Sequence, residues 1–351
     1  MLLSICIPTH HGRAATLERT LESIRPGVTA SDDVEVCISD NASHDGTAAL
    51  VARFGLQMGE DRLRYHRNEE NLGFTRNMLT VVELARGRFC WFVGSDDVVY
   101  DGGVGEVRAL IARHPQVAGV TLNRTHFNPR LSTHPHHDPP SLLPARPAEE
   151  QEFLSLDEIF KNVGQLHDFL STQIVDRACW EQAVKEAGQD VFERGRSYPH
   201  MWLFALMIRS RPRWAWYPKP LVEQRTGTAF FNEDDSDYDF ADWELRILRD
   251  RAAIWADLFG ERSRHYRQLL ARVYRRHFVG GALLHFKLQP SYRPASNRRV
   301  IFALPRYYWW LPRFWLEGLP ILFLPSRPLQ ALRPILRSMK QRLPISGQPA
   351  G

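Results

Sequence analysis

Short, predominantly apolar runs recur at Leu2–Ile7, Val34–Ser39, Phe89–Val93 and Val117–Leu122, the first of them nearly all apolar. Runs of this kind belong to strands covered on both faces. Between them the period changes. Ala14, Leu17, Leu21 and Ile24 stand at helical spacing, and similar stretches over Ala48–Phe54, Thr75–Ala85 and Val104–Arg113 predict further helices. Thr75 is placed to cap the third of these and Gly87 to end it. Leu63–His66 reads as a weaker, more exposed strand. Strands alternating with helices predict an α/β domain with a mostly parallel central sheet and helices on both faces.

The pattern then loosens. Asn123–Glu150 is rich in Pro and His and reads as an irregular, solvated loop. Its His126, His134, His136 and His137 make a poor metal scaffold, because the prolines prevent a compact one. Helices follow over Phe153–Val163 and Ala178–Glu186, with a strand at Phe169–Val175 between them. Pro199 suits the first turn of an apolar helix running to Ile208 and leaves His200 near its N-terminus. Arg213–Val222 is a strand rich in Trp and Tyr. The acidic run Glu233–Asp237 precedes helices at Phe240–Leu258 and His265–Leu284. We therefore expect one domain over 1–230 and a helical extension over 231–351.

Charge sharpens that division. The chain of 351 residues carries a net +5. From Gln289 to Gly351 there are ten Lys/Arg and one acid, Glu317, a net of +9; the remainder holds 35 basic and 39 acidic residues, a net of −4. A mildly acidic body argues against nucleic acid as partner, and a basic tail argues for an anionic surface. Tyr307–Trp310, Phe314–Trp315 and Ile321–Leu324 are interleaved with Arg306, Arg313, Arg327, Arg333, Arg337, Lys340 and Arg342. Aromatic and basic residues broken by prolines read as an interfacial membrane anchor; the alternative is a helical extension packed on the rest of the protein. No uncharged apolar run approaches the roughly 18 residues of a spanning helix. The N-terminus lacks a basic start and reaches Pro8 too early for a signal peptide. Cys6, Cys37 and Cys90 sit in apolar runs, and with Cys179 they form no C-x-x-C pair, so reduced structural thiols are expected. Together these predict a cytoplasmic protein, peripheral on the inner face of the plasma membrane.

The candidate chemistry lies where strands stop. Phe89–Val93 ends at Gly94-Ser95-Asp96-Asp97. Adjacent carboxylates repel and invite a cation, and a divalent metal holding a diphosphate is one such partner; a solvated turn is the bland alternative. The loops after Ile7, Ile38 and Val93 should meet on one rim, bringing Thr9 and Arg13, Asp40 and Asn41, and Asp96 and Asp97 together. Pro8–Arg13 lacks the G-x-G-x-x-G turn of a dinucleotide-binding oxidoreductase and the Gly-rich loop of a nucleotidyltransferase.

Four segments, Ser4–Thr9, Ser39–Thr47, Asn71–Asn77 and Gly94–Asp97, occur in the order and spacing of family 2 glycosyltransferases. The resemblance covers about residues 1–230 and is nearest to abequosyltransferase-type enzymes of bacterial O-antigen synthesis. It implies a GT-A nucleotide-diphospho-sugar transferase fold. It also implies an inverting transfer of a hexosyl or deoxyhexosyl group from a nucleotide-diphospho-sugar to a saccharide acceptor, expected to be lipid-linked. By the same resemblance Pro8, Thr9 and Arg13 would line the nucleotide pocket, with Asn41 and Asp96 beside it. Asp40 would accept from the base, and Asn71, Gly73 and Arg76 would close over base and ribose. Asp97, with Asp96, would hold Mg²⁺ or Mn²⁺. Ser95 stands where the family often has Asp, which bears on metal affinity. The Glu-Asp pair that supplies the base in many relatives is replaced by Tyr198-Pro199-His200, so His200 is the first candidate base and Asp168 the second. A non-catalytic, membrane-associated nucleotide-sugar-binding scaffold is the alternative.

Overall fold

The computed structural model describes residues 1–127, 136–137, 147–164, 167–193, 198–225, 240–274 and 294–324. The chain divides into two compact units, Met1–Asp235 and Ser236–Gly351.

The first unit is built on a sheet of ten strands: β1 (Leu3–His10), β2 (Val34–Asn41), β3 (Leu63–Arg67), β4 (Phe89–Phe92), β5 (Val98–Val99), β6 (Gly119–Phe127), β7 (His136–His137), β8 (Gln151–Phe153), β9 (Gln173–Asp176) and β10 (Trp214–Arg225). The order is β3-β2-β1-β4-β9-β6-β10-β5, with β7 beside β6 and β8 beside β10. The half β3-β2-β1-β4 is parallel throughout. Beyond it β9 runs antiparallel to both β4 and β6, and β10 is parallel to β6. The sheet is thus parallel from β3 to β4 and mixed beyond β4.

The helices are α1 (Ala14–Thr29), α2 (Thr47–Met58), α3 (Gly73–Glu83), α4 (Gly103–Arg113), α5 (Leu156–Asn162), α6 (Arg177–Ala187), α7 (Asp190–Glu193) and α8 (Pro199–Ser210). Leu3, Ile5 and Ile7 of β1 and Val34, Val36 and Ile38 of β2 share one core with Leu17, Leu21 and Ile24 of α1 and Phe54 of α2. The alternate residues face the other way. There Cys6 meets Cys37 and Cys90, and Ser39 bonds Asn77 of α3. Period-two alternation under two helical layers requires this arrangement. All four cysteines are buried and free, and burial among the other thiols pushes the Cys6 thiol well above its ordinary range.

Local starts and stops differ from the sequence expectation where a cap or an edge pairing was not evident. Thr75 does not cap α3, which begins at Gly73 with Leu72 in the capping position and no side-chain capping bond. Gln151–Phe153 is an edge strand antiparallel to β10, not the start of a helix. The helix begins at Leu156, where Ser155 Oγ accepts from Glu158 N and Glu158 Oε2 from Leu154 N, a reciprocal cap. Leu170–Thr172 is a single 3-10 turn before β9, which shortens the expected strand. In the His-rich segment, β6 extends to Phe127 and pairs with His136–His137; His134 and Pro139 lie outside the described residues.

The second unit contains α9 (Phe240–Phe259), α10 (Arg264–Val273), α11 (Pro294–Tyr308), a π-helical turn at Phe314–Gly318 and α12 (Leu319–Phe323). Trp255, Leu270, Tyr274, Leu304, Tyr308 and Phe314 are buried there. The ring centroids of Tyr274 and Tyr308 are 4.9 Å apart. The second half of the helix expected over His265–Leu284 lies outside the described residues, as do the basic residues from Arg327 onward.

Candidate active site

The carboxyl ends of β1, β2 and β4 open on one rim, and each contributes a different chemistry. After β1 the chain turns at Gly12, whose φ of +83° favours glycine, and Arg13 follows. Arg13 Nη1 donates to Asp96 Oδ2 at 2.8 Å, and its Nε donates to His10 Nε2 at 3.3 Å. The loops after β1 and β4 are therefore tied by an ion pair between a basic and an acidic candidate. Thr9 is buried, and its hydroxyl has no hydrogen-bond partner. Its carbonyl accepts from Asn77 Nδ2 at 3.0 Å. Pro8 is half-buried in β1, paired with Ser39 of β2.

After β2, Asp40 is wholly buried. Its Oδ1 accepts from the backbone N–H and hydroxyl of Ser43, and its Oδ2 from the Tyr65 hydroxyl at 2.7 Å. Burial and this carboxylate push the Tyr65 hydroxyl above its ordinary range. In this geometry Asp40 anchors its own loop through both carboxylate oxygens. Ala42, two residues on, holds φ +60°, a left-handed conformation costly for a residue with a Cβ. Asn41 Oδ1 accepts from Asn68 Nδ2 and Leu72 N, and Asn41 Nδ2 donates to Asn71 Oδ1 at 2.5 Å. Asn71 also accepts from Gly73 N at 2.9 Å. Gly73 holds φ +77° and a Cβ there would meet open space, so backbone conformation accounts for the glycine. Arg76 is exposed and stacks on Phe192, 4.8 Å from the ring centroid.

The two acidic candidates behave differently. Asp97 is 4% exposed. Its Oδ2 accepts from Ser171 Oγ at 2.5 Å, its Oδ1 from Arg225 N at 3.0 Å, and its carbonyl from Thr20 Oγ1 at 2.8 Å. Burial, and then the charge of Asp96, push its carboxyl up to about 7, against the pull of these donors. Asp97 therefore ties β4, the 3-10 turn and β10 together. Asp96 is the more open carboxylate, its side chain 23% exposed. Among the described residues no group of three or more His, Cys, Asp or Glu gathers as a metal site. A hard divalent ion nevertheless needs only one or two carboxylates when substrate phosphates complete its shell. Asp96, the more exposed of the two, fits that requirement better than buried Asp97.

His200 is 2% exposed at the start of α8. Its Nε2 lies 3.3 Å from the Asp168 carbonyl, and its Nδ1 has no hydrogen-bond partner. Phe74, Tyr198 and Phe204 meet the ring edge to face. Desolvation lowers its pKa to about 4, so the ring is neutral at pH 7. Half-buried Asp168 leads into the turn that presents Ser171 to Asp97. The structure thus links His200 to Asp168 and, through Ser171, the same turn to Asp97, while Arg13 of the β1 loop meets Asp96 of the β4 loop. Ser171, Asn68, Tyr65 and Thr20 were not singled out from sequence. Each is a single polar residue in an unremarkable setting, and only the folded topology gives it a partner.

Residues 4–170 match the family model described as Glycosyl transferase family 2. Abequosyltransferase RfbV of Salmonella typhimurium is 29% identical over 228 residues, 63% of this chain and 66% of that protein. Validoxylamine A glucosyltransferase of Streptomyces hygroscopicus subsp. jinggangensis is 35% identical over 157 residues, 42% of this chain and 34% of that protein. The chain therefore spans just under two thirds of the first of these relatives and about a third of the second. S. aureus TarS 1-349, solved in complex with UDP, shares the fold at a TM-score of 0.60 and 17% identity, over 100% of this chain and 94% of that one. The architecture is GT-A-like, and residues 4–170 form a glycosyl transferase family 2 domain.

Proposed function

We propose that the protein is an inverting glycosyltransferase. It moves a sugar from a nucleotide-diphospho-sugar to a hydroxyl of a lipid-linked saccharide in bacterial surface polysaccharide synthesis, on the cytoplasmic side of the membrane. The observation that carries this reading is the Arg13–Asp96 pair at the rim where parallel strands end. A guanidinium and a partly open carboxylate at that place can receive a diphosphate directly and through a cation, respectively. Similarity to RfbV, an abequosyltransferase, supports sugar transfer, and the basic aromatic tail supports a lipid-linked acceptor.

Asp96 would hold Mg²⁺ or Mn²⁺. The ion, when bound, offsets the negative charge that develops on the departing diphosphate. Arg13 supplies a second positive charge from its place beside Asp96. Asp97 holds the β4 loop in shape through Ser171 and Arg225 N. The acceptor oxygen forms a bond to the anomeric carbon as the bond to the diphosphate oxygen breaks, and the diphosphate leaves with the electron pair. A base takes the acceptor's proton. Burial weakens the case for His200, because it both shields the ring and lowers its proton affinity. Asp168, half-buried, is the other candidate; its backbone carbonyl lies 3.3 Å from His200 Nε2.

Isothermal titration with UDP, GDP, CDP and dTDP, with and without Mn²⁺, tests donor binding. Release of nucleoside diphosphate from a panel of nucleotide sugars tests turnover. Metal-enhanced binding of one nucleotide with slow donor hydrolysis supports the reading. Binding without any turnover favours the scaffold alternative, and no binding overturns both.

A further inference from the structure

We infer that the outward face of α11 and the segment after it form an interfacial membrane-binding surface for anionic lipid. The inward stripe of α11 is Val300, Leu304 and Tyr308, all buried. The opposite stripe, Arg299, Phe302, Arg306 and Trp309, follows at helical spacing and is exposed. A solvent-facing stripe is ordinarily polar. Here Phe302 is 80% and Trp309 63% exposed, alternating with arginines.

The pattern continues past the helix. Trp315 Nε1 donates to the Trp309 carbonyl at 2.9 Å, which ties the Trp315 indole to the backbone at the end of α11. Leu316 is 76% and Phe323 67% exposed. Elsewhere among the described residues the exposed large apolar side chains are Met1, Leu56, Leu72, Phe74 and Leu154, spread along the first unit. Six more, Phe302, Trp309, Trp315, Leu316, Phe323 and Leu324, fall within one short stretch of the second. Isolated exposed apolar residues need no explanation, whereas a cluster of this density marks a contact surface.

Charge identifies the occupant. The described part of this stretch carries Arg298, Arg299, Arg306 and Arg313 against Glu317, which lies 3.5 Å from Arg313. The sequence from Gln289 onward totals ten basic residues and one acid. Indoles and Phe with arginine between them match the boundary of an anionic bilayer, where the rings enter the headgroup level and the guanidiniums meet phosphate. None of the described helices is long and apolar enough to cross a membrane. This inference does not depend on the glycosyltransfer reading.

The test is flotation of the full chain with vesicles of phosphatidylcholine alone and of phosphatidylcholine with phosphatidylglycerol at 3:1. Expected are flotation with the anionic vesicles and a blue shift of tryptophan emission on binding. Two variants separate the contributions: Phe302→Ser with Trp309→Ser, and Arg299→Glu with Arg306→Glu. Each should lose at least tenfold in vesicle binding while circular dichroism and UDP titration stay unchanged. Equal flotation of wild type and both variants overturns the inference. So does a stable dimer in light scattering that the Phe302/Trp309 variant converts to monomer without any vesicle binding in the wild type, because the face is then covered by a second copy.

Discussion

Arg13 Nη1 and Asp96 Oδ2 meet at 2.8 Å across 83 residues of sequence. The pair places a positive charge beside the carboxylate at the rim, with His10 Nε2 accepting from the same guanidinium. If a diphosphate binds there, Arg13 exchanges one anionic partner for another. Arg13→Gln should therefore weaken UDP binding. Charged hydrogen bonds are worth about 1.5–3 kcal/mol, which is roughly tenfold to a hundredfold in affinity. Titration calorimetry reads this directly, and unchanged affinity would remove Arg13 from the nucleotide site.

Asp96 and Asp97 separate by the same kind of experiment. Asp97→Ala leaves Ser171 Oγ and Arg225 N without their acceptor in a buried setting. A loss of about 1–3 kcal/mol per abandoned group follows, seen as a lower Tm. Asp97→Asn keeps an oxygen for Arg225 N and should cost much less. Asp96→Asn should leave Tm near wild type yet lower donor turnover by about a hundredfold or more, the scale of a lost charge-stabilising group. Full turnover in Asp96→Asn would remove that carboxylate from the chemistry.

Gly94 offers a steric probe of the same loop. A Cβ there would lie 2.8 Å from Asp97 Oδ2, 3.1 Å from Ser171 Oγ and 3.2 Å from Asp96 Oδ1. Asp97 and Ser171 cannot swing aside, because each is buried and bonded to the other. Gly94→Ala should thus displace both carboxylates, lower Tm by a few degrees for the ~1–3 kcal/mol of overpacking, and reduce metal-dependent UDP binding. Normal Tm and binding would show that the loop has slack.

The centre of the parallel half was legible because β1 and β4 are apolar runs ending in distinctive polar loops. Nothing local marks β9 as antiparallel to β4, or Gln151–Phe153 as an edge strand, since direction and edge pairing are settled by tertiary contacts. Asp96 and Asp97 are indistinguishable in sequence. What separates them is which side chain folds under Ser171, and that depends on a turn 74 residues away. His200 stood out as a titratable residue at a helix start, but its burial against Phe74, Tyr198 and Phe204 is a property of packing. The Asn41–Asn68–Asn71 network was only half visible, since Asn68 lies outside any motif.

Acid should destabilise the protein through two buried imidazoles. Desolvation lowers His167 to about 3 and His200 to about 4, from an ordinary 6.5. Between 6.5 and those values the unfolded chain binds protons that the folded chain refuses. Stability is therefore complete above pH 6.5 and falls as pH drops, by about 1.4 kcal/mol per pH unit for each ring. Asp97 has the opposite sign. Raised from 3.8 to about 7, it contributes stability that is complete below 3.8 and lost as pH rises through 7, so it offsets part of the histidine slope. His167 packs against Phe160, Phe204 and Trp214, and its Nε2 has no hydrogen-bond partner. Phenylalanine suits that aromatic setting without a titrating group. His167→Phe should show a shallower loss of urea resistance than wild type between pH 6.5 and 4.5. The two should converge above pH 7, apart from a constant packing difference. Parallel wild-type and variant profiles across that window would mean that His167 is protonated in the folded protein, or that its burial is relieved as the pH falls.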